Sequence, residues 1–103
     1  MTGSRSTFQE LIDGPKPVVV DFSAEWCGPC KAMKPILEEF KRSIGDKAVV
    51  LKVDVDRNPA AAQAYQVRGV PTLAIFKHGK LVWRTSGVIG AAQLRQVLEP
   101  FLS

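Results

Sequence analysis

The sequence predicts an α/β domain with one mixed four-stranded sheet and helices on both faces. Short β-branched runs alternate with longer segments in which apolar residues recur at helical spacing. The last two β-type runs flank a tight-turn sequence, which predicts an antiparallel hairpin beside parallel strands. The chain has 103 residues, a length typical of one domain, so we expect a single domain over residues 1–103.

The first half of the chain predicts a helix, a strand and a second helix. Ser6 begins a capping-box pattern, which predicts a helix from there to Gly14. Residues 17–22 are β-branched and nearly continuous, as in a strand buried on both faces. Over residues 33–44 apolar side chains form one helical stripe, and Gly45 is placed to end that helix.

The second half predicts a strand, a short helix, a hairpin and a final helix. Residues 48–53 indicate a second buried strand, and Asn58 followed by proline indicates an N-capped helix. Residues 73–76 and 81–84 flank a four-residue turn segment. Apolar residues over 94–101 form the last helical face. A right-handed strand–helix–strand connection makes the first two strands parallel.

The charge pattern argues against nucleic acid and membrane partners. The net charge is +4, from 14 basic and 10 acidic residues, and no basic block carries interleaved aromatic residues. A solvated basic surface is therefore expected. The N-terminal residues show no apolar segment of the signal-peptide type, and no apolar run is long enough to span a bilayer. We expect a cytoplasmic protein.

Cys27 and Cys30 have the spacing of a redox pair. Cys27 follows a predicted strand and opens a helix, where unpaired backbone N–H groups and the positive helix end favour the thiolate over the thiol. Residues three apart on a helix share one face, and the expected Cα separation of about 5–6 Å suits a disulfide. Their positions predict that Cys27 is the exposed nucleophile and Cys30 the buried resolving thiol.

Two other interpretations of the cysteines remain open from the residues alone. They could be inert buried thiols, or part of a zinc site. A closed zinc site takes four Cys or His ligands, and this chain offers only Cys27, Cys30 and His78. We expect no bound metal, and we expect His78 to be an ordinary turn residue.

Two segments of the chain resemble the thioredoxin family. Residues 20–31 (Val-Asp-Phe-Ser-Ala-Glu-Trp-Cys-Gly-Pro-Cys-Lys) match its active-site run almost residue for residue, and residues 68–73 (Arg-Gly-Val-Pro-Thr-Leu) match its second landmark. The resemblance extends from about Phe8 to the C-terminus. It implies the thioredoxin fold, a protein-disulfide reductase, disulfide-containing target proteins and a thioredoxin reductase as partners. NADPH would be used by that reductase, so we expect no cofactor on this chain.

The resemblance also implies roles for residues around the cysteines. Asp21 would lie beneath Cys30 and accept its proton, although Asp21 and Lys52 could instead point to solvent from strand ends. Pro71 would follow a cis peptide bond, although a trans proline could also begin a strand. Trp26 could instead fill the core. The implied substrate-binding surface consists of Trp26, Gly28, Pro29, Gly69, Val70, Pro71 and Gly87.

The sequence departs from the family pattern in two places. Ser23 stands where many thioredoxins carry tryptophan. Only six mostly polar residues precede Thr7, so we expect the family's first edge strand to be truncated or absent.

Gly28-Pro29 resembles the reducing members; an exported oxidase or isomerase would need a leader and a more oxidising motif. We expect a monomer, and the alternative function is a redox-independent binding subunit of a partner protein.

Overall fold

The computed structural model describes residues 5–102, with the side chains of residues 5–7 left undescribed. Within that range helices and strands follow the predicted order. The helices are α1 (Arg5–Ile12), α2 (Gly28–Ile44), α3 (Pro59–Ala64) and α4 (Ala91–Leu98). The strands are β1 (Val18–Ser23), β2 (Val49–Asp54), β3 (Thr72–Lys77) and β4 (Lys80–Ser86). Short 3₁₀ turns follow α2 and α4.

The described strands form one mixed sheet in the order β2-β1-β3-β4. β1 lies parallel to β2 and antiparallel to β3, and β3 pairs antiparallel with β4. The α/β class and the four-stranded mixed sheet are therefore confirmed. Residues 1–4, where a remnant of the family's first strand was in question, lie outside the described residues.

The sheet separates two apolar clusters, one on each face. One cluster joins α2 and α4 to the sheet through residues such as Phe40 and Leu94. The other joins α1 and α3 to the opposite face and contains stacked aromatic rings, with Phe8 and Phe76 centroids 5.7 Å apart. Because β1 alternates its side chains between the two clusters, all six of its residues are buried.

β2 differs from its predicted burial. The sequence predicts a buried strand, yet only Val53 of β2 is fully buried, and Val49 is 38% exposed. The reason is topological: among the described strands, β2 has β1 as its single neighbour and lies at the edge of the sheet. A run of β-branched residues occurs both in central strands and in edge strands that cover a core, so the sequence pattern does not distinguish the two positions.

One predicted helix cap is wrong, a second lacks its side-chain bond, and the predicted hairpin is confirmed. α1 begins at Arg5, so Ser6 lies inside its first turn. Asn58 is the N-cap residue of α3, with proline next as predicted, but its side-chain amide donates to the carbonyl of Asp54 and forms no capping bond. Between β3 and β4, His78 and Gly79 have φ angles of 53° and 78°. Positive φ at both positions gives the two-residue turn that suits the twist of a hairpin.

Candidate active site

The cysteine pair lies where β1 passes into α2. Cys27 is the N-cap residue of α2, and Cys30 lies one turn further along the same helix face. The two form a disulfide, with their Cα atoms 5.3 Å apart. This separation falls within the range that an unstrained disulfide accepts. The pairing expected from the spacing is confirmed.

The start of α2 presents positive potential to Cys27. The backbone N–H of Cys30 points at the sulfur of Cys27, with 3.1 Å between nitrogen and Sγ. Gly28 and Pro29 form the first helical residues, and the N–H that Pro29 lacks would have no partner in the helix there. After reduction, negative charge on Cys27 would meet this N–H and the helix dipole, which stabilise a thiolate.

Cys27 is not the exposed member of the disulfide. It is 3% exposed, against 8% for Cys30, so the expectation of an exposed Cys27 is wrong for this oxidised state. Both sulfurs pack in a small apolar cluster with Ala24, Val55 and Val70. The carbonyl oxygen of Val70 lies 3.6 Å from Cys27 Sγ. The loop around residue 70 covers the sulfur, a contact that local sequence around Cys27 could not show.

That loop contains the cis peptide bond implied at Val70-Pro71. The hydroxyl of Thr72 donates to the carbonyl of Gly69 at 2.7 Å. The N–H of Gly87 donates to the carbonyl of Pro71 at 2.9 Å. Four of the predicted substrate-binding residues are therefore neighbours, and through Val70 they adjoin Cys27.

Trp26 lies on the surface beside the same loop. Its side chain is 71% exposed, so Trp26 does not fill the core. A cleft of about 90 Å³ is lined by Trp26, Gly69 and Val70, together with Val55, Val67 and Arg68. The indole N–H donates to Oδ2 of Asp56 at 2.9 Å. The ring is thus held as one wall of the cleft.

Sequence reasoning missed Asp56 and its neighbour Arg57. The carboxylate of Asp54 accepts the N–H groups of both residues, which shapes the loop after β2. Arg57 also forms an exposed ion pair with Glu25 at 3.4 Å. The strand order could have indicated this contact. Because β1 and β2 are parallel, the segments that follow them lie at the same end of the sheet. Trp26 is in the segment after β1, and Asp56 is in the segment after β2.

Asp21 is buried within the sheet on the α2 side. It is 2% exposed, and its Oδ1 has no hydrogen-bond partner among the described residues. Burial raises the pKa of Asp21 from 3.8 to about 6, while the positive charge of Lys52 acts against that rise. Lys52 is the register partner of Asp21 on β2. Asp21, Cys30 and Lys52 line one cleft of about 210 Å³.

A second cleft lies on the other side of Cys30. It has a volume of about 300 Å³, and buried Ser23 forms part of its wall beside Cys30. Lys31, Lys34 and Lys52 contribute the basic groups of this cleft. The side chain of Ser23 is small, so its position in the wall leaves space next to Cys30.

The described residues contain no group of three or more His, Cys, Asp or Glu side chains arranged to hold a metal ion. His78 lies at the hairpin tip, where its backbone N–H donates to the carbonyl of Gly14.

Over residues 5–102, every helix is too short or too polar to cross a membrane.

Comparison with known proteins gives matches along nearly the whole chain. The model of the thioredoxin family matches residues 1–100. A thioredoxin-like protein of Synechocystis is 48% identical over 98 residues, which cover 94% of this chain and 93% of that protein. A thioredoxin of Alicyclobacillus acidocaldarius is 43% identical over 102 residues, 99% of this chain and 97% of the relative.

The fold has solved counterparts as well. A mutant thioredoxin from Halobacterium salinarum superposes with a TM-score of 0.85 and 35% sequence identity. The match covers 97% of this chain and 87% of the solved chain. Sequence and fold comparisons therefore agree with the geometry around Cys27 and Cys30.

Proposed function

The chain belongs to the thioredoxin family and is a protein dithiol–disulfide oxidoreductase, and from this premise we propose the roles of its site residues. The observation that carries the proposal is the disulfide between Cys27 and Cys30 at the start of α2, with the N–H of Cys30 directed at the sulfur of Cys27. A pair one helical turn apart can open and close with little rearrangement of the backbone.

Cys27 is the proposed nucleophile of the reduced form. Its thiolate attacks one sulfur of a target disulfide, which forms a mixed disulfide and releases the first target thiolate. The thiolate of Cys30 then attacks the sulfur of Cys27, which releases the second target thiolate and leaves the Cys27–Cys30 disulfide. Two electrons pass to the target, and the chain ends in the oxidised state described above.

Asp21 is the proposed proton acceptor for Cys30. The two side chains line the same cleft, and the pKa of about 6 leaves Asp21 mostly ionised at neutral pH yet able to take up a proton. The position of Lys52 opposite Asp21 favours the ionised carboxylate. Asp21 therefore provides a base close to the thiol that must become a thiolate in the second step.

The substrate-binding surface is proposed to consist of Trp26, Gly28, Pro29, Gly69, Val70, Pro71 and Gly87. Val70 lines the cleft beside Trp26, and its carbonyl oxygen also contacts the sulfur of Cys27, so a target segment seated in the cleft would lie close to the nucleophile. The backbone of Val70 offers hydrogen bonds to an extended target segment, in the manner of strand addition.

We further propose that this single domain of residues 1–103 works as a monomer without its own cofactor. Its partners are disulfide-containing proteins and a thioredoxin reductase, which uses NADPH to reopen the Cys27–Cys30 disulfide. The cytoplasm is the proposed compartment, because such a reductant works where thiols are kept reduced. The Gly28-Pro29 dipeptide of the reducing thioredoxins supports this direction of transfer.

The test is reduction of insulin disulfides with dithiothreitol as electron source, on the wild-type chain, Cys27→Ser and Cys30→Ser. We expect an active wild type and an inactive Cys27→Ser variant, because the nucleophile is gone. Cys30→Ser should accumulate mixed disulfides with the target, visible by mass spectrometry, because the resolving thiol is absent. Equal activity of all three proteins would contradict electron transfer through this pair and favour the alternative, a redox-independent binding subunit.

A further inference from the structure

The outer edge of β2 carries main-chain groups that no other described strand pairs. The N–H of Val49 donates to Pro17 at 3.0 Å, and the N–H of Val55 donates to Ser23 at 2.9 Å, both toward β1. In a parallel ladder alternate residues bond the same neighbour. Every second residue of β2, beginning with Val50 and Lys52, therefore directs its N–H and C=O away from β1.

These outward groups form a short, regularly spaced edge with which another β-strand could pair. The carbonyl of Asp54 is occupied by the N–H groups of Arg57 and Asn58. Within residues 5–102, the open stretch therefore consists of both main-chain groups of Val50 and Lys52 and the N–H of Asp54. No described strand lies beyond it. The opposite edge of the sheet is less regular, because the pairing of β3 with β4 shifts register between Ile75 and Phe76. Bulged edges are poor templates for another strand.

The open edge is lined by lysines on the α2 side of the sheet. The cleft of about 210 Å³ beside β2 is bordered by Lys34, Lys41 and Lys52, with Glu38 and the buried Asp21 as its carboxylates. Lys31 joins Lys34 and Lys52 around the neighbouring cleft.

The carboxylates of that second cleft already have partners. Glu25 pairs with Arg57, and Asp54 accepts N–H groups of its own loop. Of the carboxylates that line the two clefts, Glu25 and Asp54 are engaged and Asp21 is buried, which leaves Glu38 as the exposed carboxylate. The cleft beside β2 therefore carries three lysines against one exposed carboxylate, Glu38, and favours a carboxylate of a partner.

We propose that the outer edge of β2 binds an extended acidic segment of a partner protein as an added antiparallel strand. Main-chain bonds would join the segment to Val50 and Lys52, and alternate carboxylates would face Lys34, Lys41 and Lys52. Antiparallel pairing is the more stable arrangement per residue. A second copy of this chain fits the edge poorly, because two-fold pairing would bring the lysines of both copies together. This surface shares no residue with the substrate-binding surface at Trp26 and Val70, although Asp21 and Cys30 lie in the cleft beside it.

The probe is an acetylated and amidated heptapeptide of alternating glutamate and threonine, added to the oxidised full-length chain. NMR titration should shift the amide signals of Val50, Lys52 and Asp54, and calorimetry should show affinity that falls with added salt. N-methylation of the central glutamate should abolish binding, because its N–H faces β2 in the antiparallel arrangement. N-methylation of a threonine, whose N–H faces away, should leave binding intact.

Two variants of the protein separate the contributions of charge and main chain. Lys41→Glu should weaken the peptide roughly fivefold or more, whereas Arg42→Glu, with the same change of net charge on α2 but outside the cleft, should have little effect. Val50→Pro removes one outward N–H, which an edge strand tolerates, and should weaken the peptide strongly. Val50→Ala keeps that N–H and should bind the peptide like the wild type.

The proposal fails if the amide signals that shift belong to the surface around Trp26 and Val70. It also fails if threonine methylation, not glutamate methylation, blocks binding, because that pattern belongs to a parallel strand. Slow hydrogen exchange at Val50 and Lys52 in the free protein would show that the edge is already paired. If that protection grows with protein concentration, the occupant is a second copy and not an acidic segment.

Discussion

Asp21 combines the lowest exposure of any described carboxylate with an oxygen that no described group bonds. Burial penalises the ionised form, so the folded protein binds a proton on Asp21 up to about pH 6, whereas an unfolded chain releases it near 3.8. Above pH 6 the fold must hold an ionised carboxylate with a raised pKa. Such a group opposes folding at neutral pH, which points to a role in chemistry and not in stability.

The variant Asp21→Asn tests this energetic consequence. Between pH 3.8 and about 6 the folded state holds the proton more tightly than the unfolded state, so wild-type stability falls as the pH rises through that window. At pH 7 the penalty is complete, and Asp21→Asn should raise the free energy of unfolding by up to about 3 kcal/mol, less the cost of burying an unpaired amide. At pH 3.5 most of the gain should vanish, since Asp21 is then protonated in the folded state and largely protonated in the unfolded chain. Urea unfolding of the oxidised protein at the two pH values measures the difference.

The same variant tests the proposed proton transfer. Asp21→Asn should slow the attack of Cys30 on the mixed disulfide at pH 7 while leaving the first attack by Cys27 nearly unchanged, because only the second step needs a base beside Cys30. Stopped-flow measurement of the two phases from pH 5 to 8 separates them. An unchanged profile for the second phase would contradict the role of Asp21.

At the scale of elements, the active site is assembled from segments that follow parallel strands. The turn after β1 carries Trp26, and the loop after β2 carries Asp56. Their hydrogen bond joins residues 30 positions apart in sequence. The exposed indole depends on this bond for its orientation, because little of the ring packs against the core.

The variant Asp56→Ala should therefore affect target binding more than stability. We expect KM for insulin to rise severalfold with kcat little changed, because the wall of the cleft loses its anchor. The free energy of unfolding should change by less than about 1 kcal/mol, as expected for an exposed hydrogen bond. Glu25→Gln is the matched control: it breaks the neighbouring ion pair with Arg57, and an exposed pair of this kind contributes little. Equal effects of the two variants on KM would contradict the anchoring role of Asp56.

At the scale of the whole molecule, the sheet keeps the two apolar clusters apart. Ile12 is fully buried in the cluster under α1, and Ile44 is buried in the cluster under α2. Ile12→Val and Ile44→Val should each lower the free energy of unfolding by about 1 kcal/mol. The double variant should show the sum within about 0.5 kcal/mol, because the two sites share no packing partner. A larger deviation in denaturant unfolding would show that the clusters are coupled through the sheet.

Much of this architecture follows from the sequence because its signals are local. The helical stripes, the β-branched runs and the turn at His78-Gly79 each report on their own segment, and the spacing of Cys27 and Cys30 predicted their disulfide. The missed features depend on distant partners. The burial of Cys27 comes from Val70, 43 residues away, and the exposure of β2 depends on which strands flank it. The side chain of Asn58 donates to the carbonyl of Asp54 and makes no capping bond to α3. The capping pattern in the sequence does not show this competing acceptor.

The two cysteines of the disulfide face different surroundings. Cys27 is covered by the loop at Val70. Cys30 lines the two clefts beside α2, and each of these is larger than the cleft beside Trp26. Small dissolved thiols therefore have access to the pair on the side of Cys30, whereas access on the side of Cys27 depends on the position of the Val70 loop.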